Sequence, residues 1–321
     1  MAYQVLIPDN VHETALTILA EAGGIDYHAP GKIPRDELLS AVPSADALII
    51  RSGSKIDAEV FAAAANLKAI ARAGVGVDNV DLAEATARGV RVMNTPNGNT
   101  IATAEHTFGL MLALARHIPQ AHRSLSEGKW DRKSFMGTEL RGKTLGVIGF
   151  GRIGRAVAVR ALAFEMQVLA YDPYIPAEAM AEIGVRSATL DELYAAADFI
   201  TLHTLLTDET REMINAATIG QMKSSVRIID AARGALVNEA DLADAIKSGR
   251  VAGAALDVYQ QEPPEPDNPL IGLPGVVHTP HLAASTDDAQ VAVAVEAAQL
   301  VVAALLTGEY RNVVNPEVLA K

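Results

Sequence analysis

One ordered module between Leu145 and Asp172 constrains the fold more than any other feature. An apolar strand, Leu145 to Ile148, runs into the turn Gly149-Phe150-Gly151-Arg152-Ile153-Gly154. A helical run from Arg155 to Phe164, a second strand from Gln167 to Tyr171 and the acid Asp172 then follow. Gly149 permits the tight turn, Gly151 lets backbone amides approach an anion, and Gly154 lets helix and strand pack closely. A helix opening at such a turn aims unpaired amides and the positive end of its dipole forward, which suits a pyrophosphate. Asp172 stands 172 − 154 = 18 residues after the last glycine. That is close to the roughly 20 at which a carboxylate meets the adenine ribose hydroxyls. A carboxylate there repels a 2′-phosphate, so the module predicts NAD rather than NADP, and Pro173 and Tyr174, not a cation, come next.

The alternation of short β-type runs with helical stretches extends on both sides of this module. The first series has strands at Val5-Leu6-Ile7, Ala47 to Ile50, Leu67 to Ala71 and Val90 to Met93. The second, starting at Thr144, continues with Phe199 to Leu202, Val226 to Ile229, Gly253 to Leu256 and Val276-Val277. Such alternation predicts an α/β chain with two Rossmann-like or flavodoxin-like parallel-sheet domains. A length of 321 residues, half of them hydrophobic, suits two cores of ordinary size. Between the series a helix is predicted over Thr100–Arg116, with Asn99 or Thr100 as cap and Pro119 marking its end. The long irregular stretch is the Pro-rich Glu262 to Pro274.

Composition removes whole classes of chemistry. With no cysteine there is no disulfide framework, thiolate metal site or cysteine nucleophile, and the histidine spacing predicts no metal site. A net charge of −12 opposes non-specific binding to nucleic acid or anionic membranes. The start, Met1 to Asn10, lacks the pattern of a secretory signal, so a cytoplasmic protein is expected. Val291 to Leu306 is apolar but interrupted by Glu296 and Gln299, and reads as a packed helix rather than a membrane span.

Several later strands end in a polar residue: Thr204, Arg233, Asp257 and His281. Carboxyl ends of one parallel sheet share an edge, so these groups converge on the ligand. A guanidinium such as Arg233 grips a carboxylate through two parallel bonds, while His281 can exchange a proton near neutral pH. Glu262 is placed to hydrogen-bond His281 and favour its charged form, with Asp257 supporting from behind. His106, His117, His122 and His203 are read as having no role in the chemistry.

Taken together, Gly149–Gly154 with Asp172, Ala231-Ala232-Arg233-Gly234, Ala254 to Tyr259 with Gln261-Glu262-Pro263, and Thr279-Pro280-His281-Leu282 resemble the D-isomer-specific 2-hydroxyacid dehydrogenases. The likeness is strongest to members that take a phosphorylated substrate, through Arg72 to Asp81, Asn94 to Asn99 and Lys129 to Leu140. The resemblance implies Arg233, Glu262 and His281 as the catalytic set. It implies a dinucleotide site of Val75, Gly149, Gly151, Arg152, Ile153, Gly154, Asp172, Thr204, Ala231, Ala232, Arg233, Asp257, His281 and Ala284. Arg51, Ser52, Gly53, Arg72, Gly76, Asn97 and Gly98, with Arg233 and His281, would take a 2-hydroxy or 2-keto acid, Arg51 and Arg72 being phosphate ligands. The implied architecture is discontinuous: residues 1–98 and 284–321 form a substrate domain, 99–283 an inserted NAD-binding domain, with the active site in the cleft. A homodimer through the NAD-binding domain, by way of Ile101 to Phe135, is also implied.

Three positions depart from the pattern: Leu205 stands where the family commonly has proline, and Val75 and Ala283 where close members often carry threonine and glycine. A chain ending at Lys321 is expected to lack appended regulatory domains. Other readings are a glyoxylate or hydroxypyruvate reductase of the same fold and, from another class, an NAD-sensing corepressor.

Overall fold

The computed structural model describes residues 2–320. The chain forms two compact units, one running up to Asn99 and resuming at Ser285, the other comprising Thr100–Ala284.

The first unit holds a five-stranded parallel sheet of β1 (Tyr3–Leu6), β2 (Ile25–His28), β3 (Ala47–Ile50), β4 (Ala69–Arg72) and β5 (Arg91–Asn94), in the order β2-β1-β3-β4-β5. β3 is central and buried along its whole length, which explains its unbroken apolar run. Alternate side chains serve opposite faces. Val5, Ile7, Ala47 and Ile49 meet Ala294, Ala297 and Val301 of the Asp287–Leu306 helix, while Leu6, Leu48 and Ile50 meet Leu38, Val60 and Phe61. The helix is long and apolar enough to cross a membrane by composition, yet half of it is buried inside the protein, against this sheet. β2 is absent from the sequence reading because it is an edge strand in which only Ile25 is buried, leaving no apolar run to detect.

In the second unit seven parallel strands take the order β12-β11-β10-β9-β6-β7-β8. They are β6 (Thr144–Ile148), β7 (Gln167–Tyr171), β8 (Arg186–Ser187), β9 (Phe199–Leu202), β10 (Arg227–Asp230), β11 (Gly253–Leu256) and β12 (Val276–His278). The order reverses beside β6, whose neighbours are β7 and β9, so the glycine turn leaves the sheet at the point where ligands of such folds gather. β8 is two exposed residues and gives no sequence signal.

Strand limits shift from those predicted by a residue or two, and two helix boundaries differ in ways that have a physical cause. The helix after the glycine turn begins at Arg152, not Arg155, because Gly154 lies inside its first turn, against β6. Pro119 does follow the end of the Thr100–Arg116 helix, but it opens a second helix, Ile118–Ser126, across a left-handed His117. Proline is favoured in a first turn, where its missing N–H would have had no partner.

Candidate active site

At the glycine turn each residue has a distinct geometric reason. Gly149 has φ +92°, and a Cβ on it would come within 2.7 Å of the backbone joining His203 to Thr204. Only glycine tolerates both conditions. A Cβ on Gly154 would collide with the carbonyl oxygen of Gly149, so helix and turn are as close as two backbones can be. Gly151 differs: nothing lies within 4 Å of an added Cβ, and it caps the Arg152–Ala163 helix without any side-chain capping bond. The turn thus offers open space in front of helix amides, the setting a pyrophosphate needs. Asp172 closes β7, and its carboxylate accepts from Phe150 N (2.7 Å) and Tyr174 N (2.9 Å), which holds it beside the turn. A carboxylate offers about four acceptor sites, leaving capacity for ribose hydroxyls. These residues fit a dinucleotide without a 2′-phosphate. Arg152 and Ile153 begin the helix, and Thr204 follows β9 on the far side of the turn.

β9, β10, β11 and β12 are sequential neighbours, so the residues that follow them share one edge of the sheet. His281 Nδ1 lies 2.6 Å from Glu262 Oε2, and the other oxygen of Glu262 accepts from Tyr259 N at 3.2 Å. The hydrogen bond to Glu262 raises the pKa of His281 above the ordinary imidazole value, against the effect of burial. Burial pushes the Glu262 carboxyl up, but the bond from His281 and the nearby charges outweigh it and hold the carboxyl below its usual range. Since Nδ1–H points at a carboxylate, Nε2 is the atom left to exchange a proton. The positive charge of Arg233 acts to lower the pKa of both Glu262 and His281, a smaller influence than the bond between the two. Its own Nη1 donates to Ala232 O at 2.6 Å, and Ala232 N donates to Asp230 Oδ1 at 2.8 Å. Asp230, buried at the end of β10, has its carboxyl pushed up by burial to about 7.

His281 adopts φ +54°, a left-handed backbone uncommon for a side chain with a Cβ. Asp257 holds the segment in that state. Its carbonyl accepts from His281 N (2.8 Å), and its wholly buried carboxylate accepts from Leu282 N (2.7 Å) and Ala283 N (2.8 Å). Burial would raise this carboxyl, but bonds from His106, Thr279 and the two amides hold it below the usual range. His106 therefore belongs to the network, a partnership that the sequence alone did not assign to it. The signal was present: Thr103, His106, Thr107 and Leu110 follow the i, i+3, i+4, i+7 spacing of one helix face, and polar residues on a buried face need partners. His203 keeps its structural reading, since burial drives its pKa to about 3 and it bonds Thr201 Oγ1 at 2.9 Å.

Ala231 and Ala284 belong to this second unit, whereas Val75 and the remaining substrate candidates lie in the other, at the carboxyl edge of the smaller sheet, where Ile50, Arg72 and Asn94 are in register. Arg51 follows β3; its N–H donates to Asp9 Oδ2 (2.6 Å) and its guanidinium to Asn10 O (3.2 Å). Asn79 Nδ2 donates to Arg51 O (2.7 Å) and Ser54 O (2.6 Å), fixing the loop on which Ser52 and Gly53 are exposed. Asn94 Nδ2 holds Val75 O at 2.7 Å, steadying the loop that carries Gly76, while Asn97 and Gly98 follow β5.

The model of the D-isomer specific 2-hydroxyacid dehydrogenase NAD binding domain matches residues 108–283. The chain belongs to this family. The glycine turn, the Glu262–His281 pair and Arg233 all lie inside the matched span, so the second unit contains the NAD binding domain of this family. The D-3-phosphoglycerate dehydrogenase of Archaeoglobus fulgidus is 51% identical over 312 residues, covering 97% of this chain and 59% of that protein. The chain thus spans about three-fifths of the length of such curated relatives. Among solved structures, a protein from Thermus thermophilus superposes with TM-score 0.87 at 38% identity, covering 97% of this chain and 99% of its own. A glyoxylate reductase from Paecilomyes thermophila superposes with TM-score 0.88 at 29% identity, each chain covered to 98%.

Proposed function

We propose that this 2-hydroxyacid dehydrogenase oxidises D-3-phosphoglycerate to 3-phosphohydroxypyruvate with NAD, and runs the reverse reduction with NADH. The observation that carries the reading is the 2.6 Å bond between His281 Nδ1 and Glu262 Oε2, within reach of the charge of Arg233. When bound, the dinucleotide supplies the acceptor for the hydrogen and electron pair leaving C2, and their donor in reverse. The protein supplies the rest. Arg233 holds the substrate carboxylate through parallel N–H bonds and so presents one face of C2. His281 Nε2 takes the hydroxyl proton as the carbonyl forms, and the resulting imidazolium is stabilised by Glu262. One proton and one hydride equivalent leave the alcohol, giving the ketone.

Gly149, Gly151, Arg152, Ile153 and Gly154 are proposed for the pyrophosphate, Asp172 for the adenine ribose, and Thr204, Ala231, Ala232, Asp257, Ala284 and Val75 for the rest of the dinucleotide. Arg51, Ser52, Gly53, Arg72, Gly76, Asn97 and Gly98 are proposed for the phosphorylated substrate, with Arg51 and Arg72 on the phosphate. The deciding experiment compares phosphohydroxypyruvate with hydroxypyruvate and glyoxylate at fixed NADH. A preference of roughly 100-fold in kcat/KM for the phosphorylated acid is expected, about the worth of two charge-assisted bonds. Equal rates on all three would shift the assignment to a glyoxylate or hydroxypyruvate reductase, and NADH binding with no turnover would shift it to a sensor.

Ile101, Ile118, Leu125 and Trp130 are exposed within Ile101 to Phe135, the stretch that the resemblance gives to a dimer contact. Exposed apolar side chains suit an association surface, so we propose a homodimer through the NAD-binding unit. Net charge −12 and zero cysteines suit an enzyme of the reducing cytoplasm.

A further inference from the structure

His106 stands outside the groups assigned to proton transfer and carboxylate binding, yet its ring is part of a directed chain of hydrogen bonds. Its Nε2 lies 3.2 Å from Asp257 Oδ1 and 3.1 Å from Thr279 Oγ1. Thr279 donates its hydroxyl proton to the same Asp257 oxygen, at 2.6 Å. A hydroxyl has one proton, so toward His106 it acts as an acceptor. Nε2 therefore carries a proton in the neutral ring as well as in the charged one, and donates to carboxylate and hydroxyl together.

The carboxylate so held is the anchor of the loop that carries His281. The amides of residues 281 to 283 all end on Asp257: His281 on its carbonyl, Leu282 on Oδ1 and Ala283 on Oδ2. Rotation of the Asp257 carboxylate would release the last two and, with them, the left-handed backbone of His281. A wholly buried carboxylate needs donors on every side, and the His106 ring supplies one from a separate element, the Thr100–Arg116 helix.

We propose that His106 is a positioning residue, whose Nε2–H locks the Asp257 carboxylate and thereby fixes the loop presenting His281. It touches neither substrate nor dinucleotide in this role. The inference rests on reading His281 as the proton-transfer group, and its tests separate the two.

The first test needs no activity. In the wild-type chain labelled with 15N-histidine, at a pH where His106 is neutral, long-range 15N–1H correlation is expected to show the Nε2–H tautomer, the signals being assigned by their loss in His106→Gln. An Nδ1–H tautomer overturns the proposal. The second compares His106→Leu, which has no donor, with His106→Gln, whose side-chain N–H reaches toward the Nε2 position. Amide exchange at Leu282 and Ala283 is expected to accelerate at least tenfold in the leucine variant and to recover in the glutamine variant. Unchanged exchange in both would sink the idea, whatever the enzyme turns over. Kinetically, His106→Leu is expected to lower kcat roughly 10- to 100-fold, the cost of losing a bond to a charged group, while leaving NADH affinity within about twofold. His106→Gln is expected to restore most of that loss. Equal losses in the two variants, or a loss confined to NADH affinity, would count against a positioning role. Should the leucine variant not fold, His106→Asn takes its place, its amide being too short to reach.

Discussion

The carboxyl edges of the two parallel sheets carry polar groups of different kinds. At the edge of the larger sheet, ionisable side chains meet one another: Glu262 with His281, and His106 with Asp257, the last two joined also by the Thr279 hydroxyl. At the edge of the smaller sheet, side chains meet backbone: Asp9 with the amide of Arg51, Asn79 with the carbonyls of Arg51 and Ser54, and Asn94 with that of Val75. The first arrangement adjusts proton affinities, and here it raises His281 and lowers Glu262. The second fixes loops. Chemistry is proposed for the one and substrate recognition for the other, so substitutions at the two edges are expected to act on different kinetic constants.

The largest expected effect is at the larger sheet. His281→Ala is expected to reduce kcat by about 10²- to 10⁴-fold, the usual worth of a positioned acid or base, with NADH binding by fluorescence titration nearly unchanged. Retained turnover would remove the chemical role from that edge. Next, Arg233→Ala is expected to lower kcat/KM for the hydroxy acid roughly 100-fold, read from initial rates, because two charge-assisted bonds to the carboxylate are lost. A change in KM alone, with kcat intact, would turn Arg233 into a simple binding group.

At the smaller sheet, Arg51→Ala is expected to raise KM for the phosphorylated acid roughly tenfold, with little change for hydroxypyruvate, in parallel steady-state assays. A fall in kcat on both substrates would erase the division between the edges. The subtlest effect concerns pH. His281 must be neutral to act as base, so oxidation is expected to rise as pH climbs through its raised pKa, and reduction, which needs the charged ring, to fall over the same range. Glu262→Gln keeps a hydrogen-bond partner but removes the negative charge, so both limbs are expected to move to lower pH. Profiles of kcat/KM that stay in place would separate the Glu262 contact from the proton affinity of His281.

Much of this was legible along the chain because it is local. The glycine turn is one short stretch whose spacing is dictated by covalent geometry, and the acid after β7 follows it at a helix-plus-strand distance. Central strands such as Ala47–Ile50 announce themselves because both faces are buried, whereas β2 and β8, at the sheet edges, bury too little to leave a pattern. Arg233 and His281 could be picked out because each follows an apolar run. His106 could not be assigned this way, since its partners lie 151 and 173 residues further on.

By itself, then, the order of residues determined the α/β class, the dinucleotide turn and which groups stand at the strand ends, since these follow from propensity and spacing within a few turns of chain. Folding alone decided which of them meet. The bond of Glu262 to His281, the left-handed backbone at 281 and the clasp of His106 on Asp257 arise when parallel strands bring distant loops to one sheet edge. The physical reason is that a hydrogen bond is made over a few ångströms of space, and only packing of the sheet and its helices converts sequence separation into that distance.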